Sequence, residues 1–410
     1  MSEPKRILVL TLSFGAGHIR AAQSVAAELR RQNPAAEVQL IDALANCSLA
    51  FRAFYVWTYW AMIRYAPQIW NKFFHARLER RDEQTAPVWI WRKGCKKVFA
   101  EIENFQPDLI VAAEVGASEI AVIARHDNLT NALIVNVITD YEAEPIWVKP
   151  EISAYAVPNA GVAEQMRNWG ANADKIKVCG IPLDESFDKN HDAAKVKKQF
   201  GLDEKPVVLL MGGGMGPTRM DEVAARLLES GENLNLVALV GKDTRARREL
   251  EKLPNSATVT LKVLAWTNEV AALMQTAAIL VTKPGGVTLS EAAVCGLPMV
   301  FFDAIPGPEE SNAARFAANG AGVSTRGSDE TATEVLRLLN DKNELREMAH
   351  NCRKLARPNA AAEIVGLILE KIEAAPQVEK NYSTAKKPAN SRRIFAAPCR
   401  LKKRKRVFES

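Results

Sequence analysis

Short apolar runs alternate along this chain with longer stretches in which apolar positions recur every three to four residues. In the first half the runs fall at 7–12, 38–41, 109–113, 133–138, 154–157 and 176–179, and in the second at 207–211, 236–240, 259–263, 279–282, 299–302 and 322–324. Runs that are apolar throughout, not at every second position, fit strands buried on both faces, and the helix-length stretches between them supply the cover. The rhythm predicts an α/β protein with two parallel, helix-covered sheets. Residues 188–199 are polar, Lys-rich and without a strand pattern, which sets the junction near 185–205, with an N-terminal domain over 1–188 and a C-terminal domain over 200–375. A ligand is expected in the cleft between them. Three helical patterns close the second half at 328–339, 342–356 and 359–374, with Pro358 separating the last two. The final helix is expected to pack back across the cleft.

One segment breaks the rhythm. Between 47 and 91 the chain places Phe51, Phe54, Tyr55, Trp57, Tyr59, Trp60, Tyr65, Trp70, Phe73, Phe74, Trp89 and Trp91, twelve of its twenty-eight aromatic residues, with Arg52, Arg64, Lys72, Arg77, Arg80 and Arg81 interspersed. Such a segment reads either as a helix pair that packs the core or as an interfacial one, because Trp and Tyr favour headgroup depth and Arg and Lys favour anionic lipid. So many rings exceed what one helix face buries, which favours the interfacial reading.

Length and composition agree with two soluble-type domains: 410 residues, 48% hydrophobic and 25% charged. The six cysteines are scattered without Cys-x-x-Cys spacing, so neither a zinc site nor a disulfide framework is expected, and a reducing cytoplasm fits. No signal peptide or spanning helix is expected. The net charge of +6 divides into +9 for residues 376–410 and −3 for the rest. That basic tail is low in apolar residues, is expected to be disordered, and suits an anionic lipid surface. It lacks the interleaved aromatics that stack bases, so no nucleic acid partner is expected.

Candidate chemistry gathers where strands are expected to end. Gly15-Ala16-Gly17-His18 follows the first strand and opens a helix, but Arg20 stands at the third glycine position of a dinucleotide fingerprint, which disfavours an NAD site. His18 then stands out as a general base for an acceptor hydroxyl, with Asp140 at the end of another strand to orient the imidazole, to contact the acceptor or simply to cap. In the second half, the glycines Gly212 to Gly214 let the backbone approach a phosphate, as do Gly285 and Gly286 before Thr288. Glu291 falls inside the start of that second helix, where a carboxylate can accept both ribose hydroxyls.

Taken together, Phe14 to His18, Thr139-Asp140-Tyr141 with Ile146-Trp147-Val148, Cys179-Gly180-Ile181-Pro182, the 212–216 loop, Lys283-Pro284-Gly285-Gly286 and Pro306-Gly307-Pro308-Glu309-Glu310-Ser311-Asn312 resemble glycosyltransferase family 28. The resemblance is to the branch of monogalactosyldiacylglycerol synthases and processive diacylglycerol glucosyltransferases, and it extends over about 5–375. It implies the GT-B architecture, two Rossmann-like domains facing across a cleft. It implies a UDP-hexose donor, UDP-galactose or UDP-glucose, held by the C-terminal domain, and diacylglycerol presented from a membrane to the N-terminal domain. The reaction so implied is an inverting transfer that makes a β-glycosyl glycolipid. Carried over by position, His18 resembles the catalytic base, Gly213 and Gly214 the diphosphate loop, and Glu291 the ribose ligand. Glu309, Glu310 and Asn312 match the segment that reads donor-sugar hydroxyls, and Val263 and Leu264 the stretch whose backbone meets uracil.

Glu144 departs from the pattern, standing where relatives commonly carry His, and the tail after Pro376 has no counterpart in it. The chain contains no Asp-x-Asp motif, so no metal and no cofactor beyond the donor is expected. The protein is expected in the cytoplasm, bound peripherally to the inner face of the cell membrane. Two other functions fit less of the sequence: a UDP-N-acetylglucosamine transferase acting on a polyprenyl-linked cell-wall precursor, and a non-catalytic nucleotide-sugar-binding protein that docks on membranes.

Overall fold

Apolar runs buried on both faces build the first sheet: β1 (Arg6–Thr11), β2 (Glu37–Asp42), β3 (Leu109–Ala112), β4 (Leu133–Val137), β5 (Ala154–Val157) and β6 (Ile176–Val178). All are parallel, in the order β2-β1-β3-β4-β5-β6. Along β1 the side chains alternate between two cores, Leu8 and Leu10 on one face and Ile7 and Val9 on the other. The second sheet repeats the design with β7 (Val207–Met211), β8 (Leu234–Gly241), β9 (Val259–Ala265), β10 (Ile279–Thr282), β11 (Met299–Phe301) and β12 (Gly322–Ser324), in the order β12-β11-β10-β7-β8-β9. This is a computed structural model that describes residues 4–13, 15–80, 85–212, 219–254 and 256–375. Met1–Ala374 is one compact unit carrying both sheets; the second unit, Ala375–Ser410, lies outside the described residues except for its first residue.

Each sheet reverses its strand order once, between β1 and β3 in the first and between β7 and β10 in the second. Crevices at the carboxyl ends of such switch points are where open α/β sheets hold ligands. The last helix, Ala360–Ala374, follows the second sheet in sequence yet buries Ile364, Val365 and Ile368 against Ile7, Val9 and Val111 of the first. The chain thus returns to its first lobe, and the two lobes are tied at both the crossing and the return.

The aromatic segment folds as the helices Leu49–Tyr65, Pro67–Arg80 and Val88–Gly94, and its two readings divide between two faces. On the inner face Phe51, Trp70, Phe74 and Trp91 are buried. Trp70 Nε1 donates to the Pro306 carbonyl at 3.1 Å, and Phe74 lies against Gly307, whose φ of 95° only glycine adopts without strain. Here the first lobe touches the loop after β11 of the second. On the outer face Leu49, Phe54, Trp57, Tyr65, Ile69 and Trp89 are 62% to 77% exposed. Among the described residues, no helix is long and apolar enough to cross a membrane.

Candidate active site

The loops after β1 and β4 in the first lobe face those after β9 and β10 in the second. The cleft between them is lined by Gly15, Gly17, His18, Arg20, Tyr59, Trp60, Thr139 and Asp140 on one side, and by Ala265, Trp266, Thr267, Lys283, Gly285, Gly286, Thr288, Glu291 and Glu309 on the other. Gly213 and Gly214 lie outside the described residues.

His18 enters the cleft from the first turn of the helix Ala16–Gln32. Its Nδ1 shares a 2.8 Å hydrogen bond with Thr139 Oγ1, so the neighbour of Asp140, not Asp140 itself, orients the ring. Burial lowers the imidazole pKa below its ordinary value; the negative charge of Asp140 and the Ala113 carbonyl oppose that shift. A neutral ring is therefore favoured, which a proton acceptor needs. Asp140 instead turns toward the second lobe, where its Oδ1 accepts from Asn312 Nδ2 at 3.2 Å.

Asn312, expected among the sugar-reading residues, is fully buried and does not line the cleft. Its Oδ1 accepts the Tyr141 N–H at 2.9 Å, and its Nδ2 donates to Asp140 and, at 3.0 Å, to the Pro284 carbonyl. One amide hydrogen thus joins the lobes through Asp140, and the other is consumed within the second lobe by Pro284. Tyr141 completes that joint: its hydroxyl donates to Ser290 Oγ at 2.8 Å, and its ring meets Phe316 edge-on at 5.0 Å. Glu310 is also placed otherwise than expected, exposed and accepting the Gly307 N–H at 3.2 Å as the reciprocal cap of the helix Pro308–Ala318. Val263 and Leu264 sit within β9 and pack toward the cores; Ala265, Trp266 and Thr267 after them reach the cleft. Glu144 pairs with Arg77 at 2.8 Å, a partner that the aromatic insertion supplies.

The second wall presents the helix Gly286–Cys295 end-on, with Gly285, Gly286 and Thr288 at its N-terminus. Gly286 is required by close approach: a Cβ there would lie 2.1 Å from the Thr139 carbonyl of the first lobe. Glu291, one turn further in, is 3% exposed, and burial raises its pKa to about 7 against the opposing Arg20 guanidinium, whose Nη1 lies 3.4 Å from Oε1. Glu309 accepts the Ile305 N–H at 2.7 Å, and burial raises its pKa while Lys283 opposes the rise. Lys283, directly after β10, is itself 6% exposed, and among the described residues its ammonium has no hydrogen bond or ion pair. No group of three or more His, Cys, Asp or Glu side chains among the described residues is placed to hold a metal ion.

Two family models tile this architecture. Residues 18–183 match the model for monogalactosyldiacylglycerol synthase, and 192–357 that for glycosyl transferases group 1. Curated proteins named processive diacylglycerol beta-glucosyltransferase align along nearly their whole length. That of Bacillus licheniformis is 26% identical, covering 91% of this chain and 97% of its own, and that of Staphylococcus carnosus is 27% identical, covering 93% and 97%. Both halves of the chain thus match glycosyltransferase models, the first half that of monogalactosyldiacylglycerol synthase. Solved structures agree on the fold. Acinetobacter baumannii MurG superposes with a TM-score of 0.57 at 16% identity, over 90% of this chain and all of that one. A Listeria monocytogenes protein described as a putative UDP-N-acetylglucosamine 2-epimerase superposes with 0.61 at 14%, over 91% and 97%.

Within this glycosyltransferase, sequence reasoning passed over Arg20, Trp266 and Lys283. Arg20 served only to reject a dinucleotide loop, yet a cation early in a helix meets the positive end of the dipole and signals a carboxylate nearby. Lys283 opens the Lys283-Pro284-Gly285-Gly286 turn, and a lysine at the end of an apolar strand was the available signal for a role of its own.

Proposed function

We propose that this glycosyltransferase moves a hexose from a UDP-hexose to the free hydroxyl of diacylglycerol at a membrane surface, with inversion to a β-glycoside. The observation that carries the donor half is Lys283: a cleft-lining ammonium that no group among the described residues hydrogen-bonds, with the Glu309 carboxylate acting on it from the same wall, stands beside the N-terminus of the helix Gly286–Cys295 and makes a site for the two phosphates of a nucleotide sugar. The diacylglycerol acceptor rests on the printed activity of the relatives and on the exposed Leu49, Phe54 and Trp57 beside the cleft-lining Trp60. Glucose is the hexose those relatives' names favour.

In this reading the donor's ribose hydroxyls are accepted by the Glu291 carboxylate, and Glu309 faces the sugar. The acceptor hydroxyl approaches between Tyr59 and His18. With Nδ1 engaged by Thr139, His18 Nε2 takes the hydroxyl proton as the oxygen attacks the anomeric carbon and the bond to UDP breaks. Lys283 and the helix N-terminus stabilise the charge that develops on the departing diphosphate. The N-terminal lobe thus serves the acceptor and the membrane and the C-terminal lobe the donor, with transfer independent of divalent metal and the protein adsorbed on the inner face of the cell membrane.

Mass spectrometry of lipids after incubation with UDP-glucose, UDP-galactose or UDP-N-acetylglucosamine tests the reading, using diacylglycerol vesicles and a polyprenyl-linked acceptor in parallel, with and without EDTA. Hexosyl-diacylglycerol in both EDTA arms is expected. Transfer seen only with the polyprenyl acceptor, or none from any donor, overturns it.

A further inference from the structure

Arg20 lies on the same helix as His18, two residues further on, and leaves its own lobe to reach the other. Its Nη1 lies 3.4 Å from Glu291 Oε1, and its guanidinium carbon stands 5.1 Å from the ring centre of Trp266, which Lys242 Nζ also approaches at 5.7 Å. Glu291 is nearly inaccessible, whereas the Arg20 side chain is about a quarter exposed and Trp266 about half. An exposed ring and a buried carboxylate, spanned by one planar cation, form a wall facing the cleft. A cation in the second turn of a helix is disfavoured by the dipole, so its place there is sustained by what it meets across the gap.

We propose that Arg20 is a positioning residue for the donor: it holds Glu291 ionised and in line with Trp266, so that the nucleoside of the UDP-sugar binds only when the lobe bearing His18 is drawn against the lobe bearing the donor. This rests on the donor reading given above. The other groups facing Glu291 do not do this work. Asp184, from the segment after β6, disfavours the charged form, and Cys295 on its own helix is a thiol held neutral by burial. Arg20 is the one charge acting on Glu291 that favours the carboxylate among the described residues.

The test is UDP affinity by titration calorimetry from pH 5.5 to 9 on the full chain, for wild type, Arg20→Gln, Arg20→Lys and Glu291→Gln, with melting curves to confirm folding. Wild-type affinity is expected to fall as pH drops through about 7, where Glu291 takes up a proton. In Arg20→Gln that limb moves to higher pH by about one unit, which weakens UDP by up to about tenfold at neutral pH. Arg20→Lys restores most of the limb's position, and Glu291→Gln removes the limb. If Arg20→Gln melts like wild type and binds UDP with an unmoved limb, the proposal is overturned while the donor site stands. If wild type binds no UDP, or Glu291→Gln leaves its pH dependence untouched, the donor reading and the proposal both fall.

Discussion

At the scale of single residues, the site is built from groups whose neighbours leave one task open. His18 has one ring nitrogen engaged by Thr139 and a pKa pressed down by burial, so it is neutral and aimed into the cleft. His18→Ala is expected to lower turnover by ~10²–10⁴ while UDP affinity stays within about twofold, since the base touches acceptor and not donor. Steady-state kinetics paired with calorimetry checks this, and an unaltered rate refutes the assignment. Lys283 makes the opposite case, because its ammonium lines the cleft near Glu309 without a hydrogen bond or ion pair among the described residues, so the charge serves a ligand more than the fold. Lys283→Met should therefore leave the melting temperature unchanged or higher, yet weaken UDP by ~10–100-fold, the worth of a hydrogen bond to a charged group. A lower melting temperature with normal UDP binding would make Lys283 a structural residue. The bases of these expectations were unequally legible in the sequence. His18 announces itself by following Gly15-Ala16-Gly17, a purely local cue. Asn312 has no such local cue: its amide is engaged by Pro284 of its own lobe and by Asp140 and Tyr141, which are far away in the chain and meet it only when the lobes dock.

At the scale of elements, the strands were readable because each is an apolar run buried on both faces, a pattern that needs no partner to interpret. The insertion helices were not, since rings on all sides of Leu49–Tyr65 give no single buried stripe; what separates Phe51 from Trp57 is the lobe beneath, absent from the local pattern. The paired glycines opening Gly286–Cys295 look alike in sequence and differ in space. A Cβ on Gly286 meets the Thr139 carbonyl, whereas one on Gly285 meets nothing within 4 Å. Gly286→Ala should destabilise by about 1–3 kcal/mol through forced separation of the lobes. Gly285→Ala should melt within about 0.5 kcal/mol of wild type, as surface changes do, and lose UDP affinity by filling the space the phosphates need. Equal melting of the two variants would remove the close-approach argument. A pH effect belongs to the helix Val115–His126, whose cap Glu114 accepts from the Gly116 and Ala117 N–H groups while burial raises its pKa to about 8. Between its ordinary value and about 8 the folded state holds a proton that the unfolded state has lost, so this group's contribution is full at acid pH and disappears as pH rises through about 8. Thermal melts from pH 5 to 9 should show stability declining over that interval, with the slope reduced in Glu114→Gln.

At the scale of the whole molecule, two lobes are joined through Asn312 and through the aromatic segment, which reaches the loop after β11. The segment from Leu49 to Trp91 has a buried inner face locked to the second lobe through Trp70 and Pro306, and an outer face of large apolar side chains that nothing in the chain covers among the described residues. That division decides which substitutions can test adsorption. Trp70 is buried and Trp60 lines the cleft, so replacing either would disturb the lobes or the site. Phe54 and Trp57, exposed at 62% and 72%, are free to change. Moving such a side chain from water into an apolar layer is worth about 2 kcal/mol, so Phe54→Ser with Trp57→Ser should weaken binding to diacylglycerol vesicles by at least ~10²-fold. UDP affinity should not change, because neither residue faces the donor wall. Removal of residues 376–410, which carry a charge of +9 and lie outside the described residues, gives the electrostatic share separately: its effect should grow with anionic lipid content and fade with salt. Vesicle pelleting of the double substitution, the truncation and both combined decides between them. If the aromatic substitutions pellet like wild type on neutral vesicles, the exposed rim is not what holds this enzyme to its lipid.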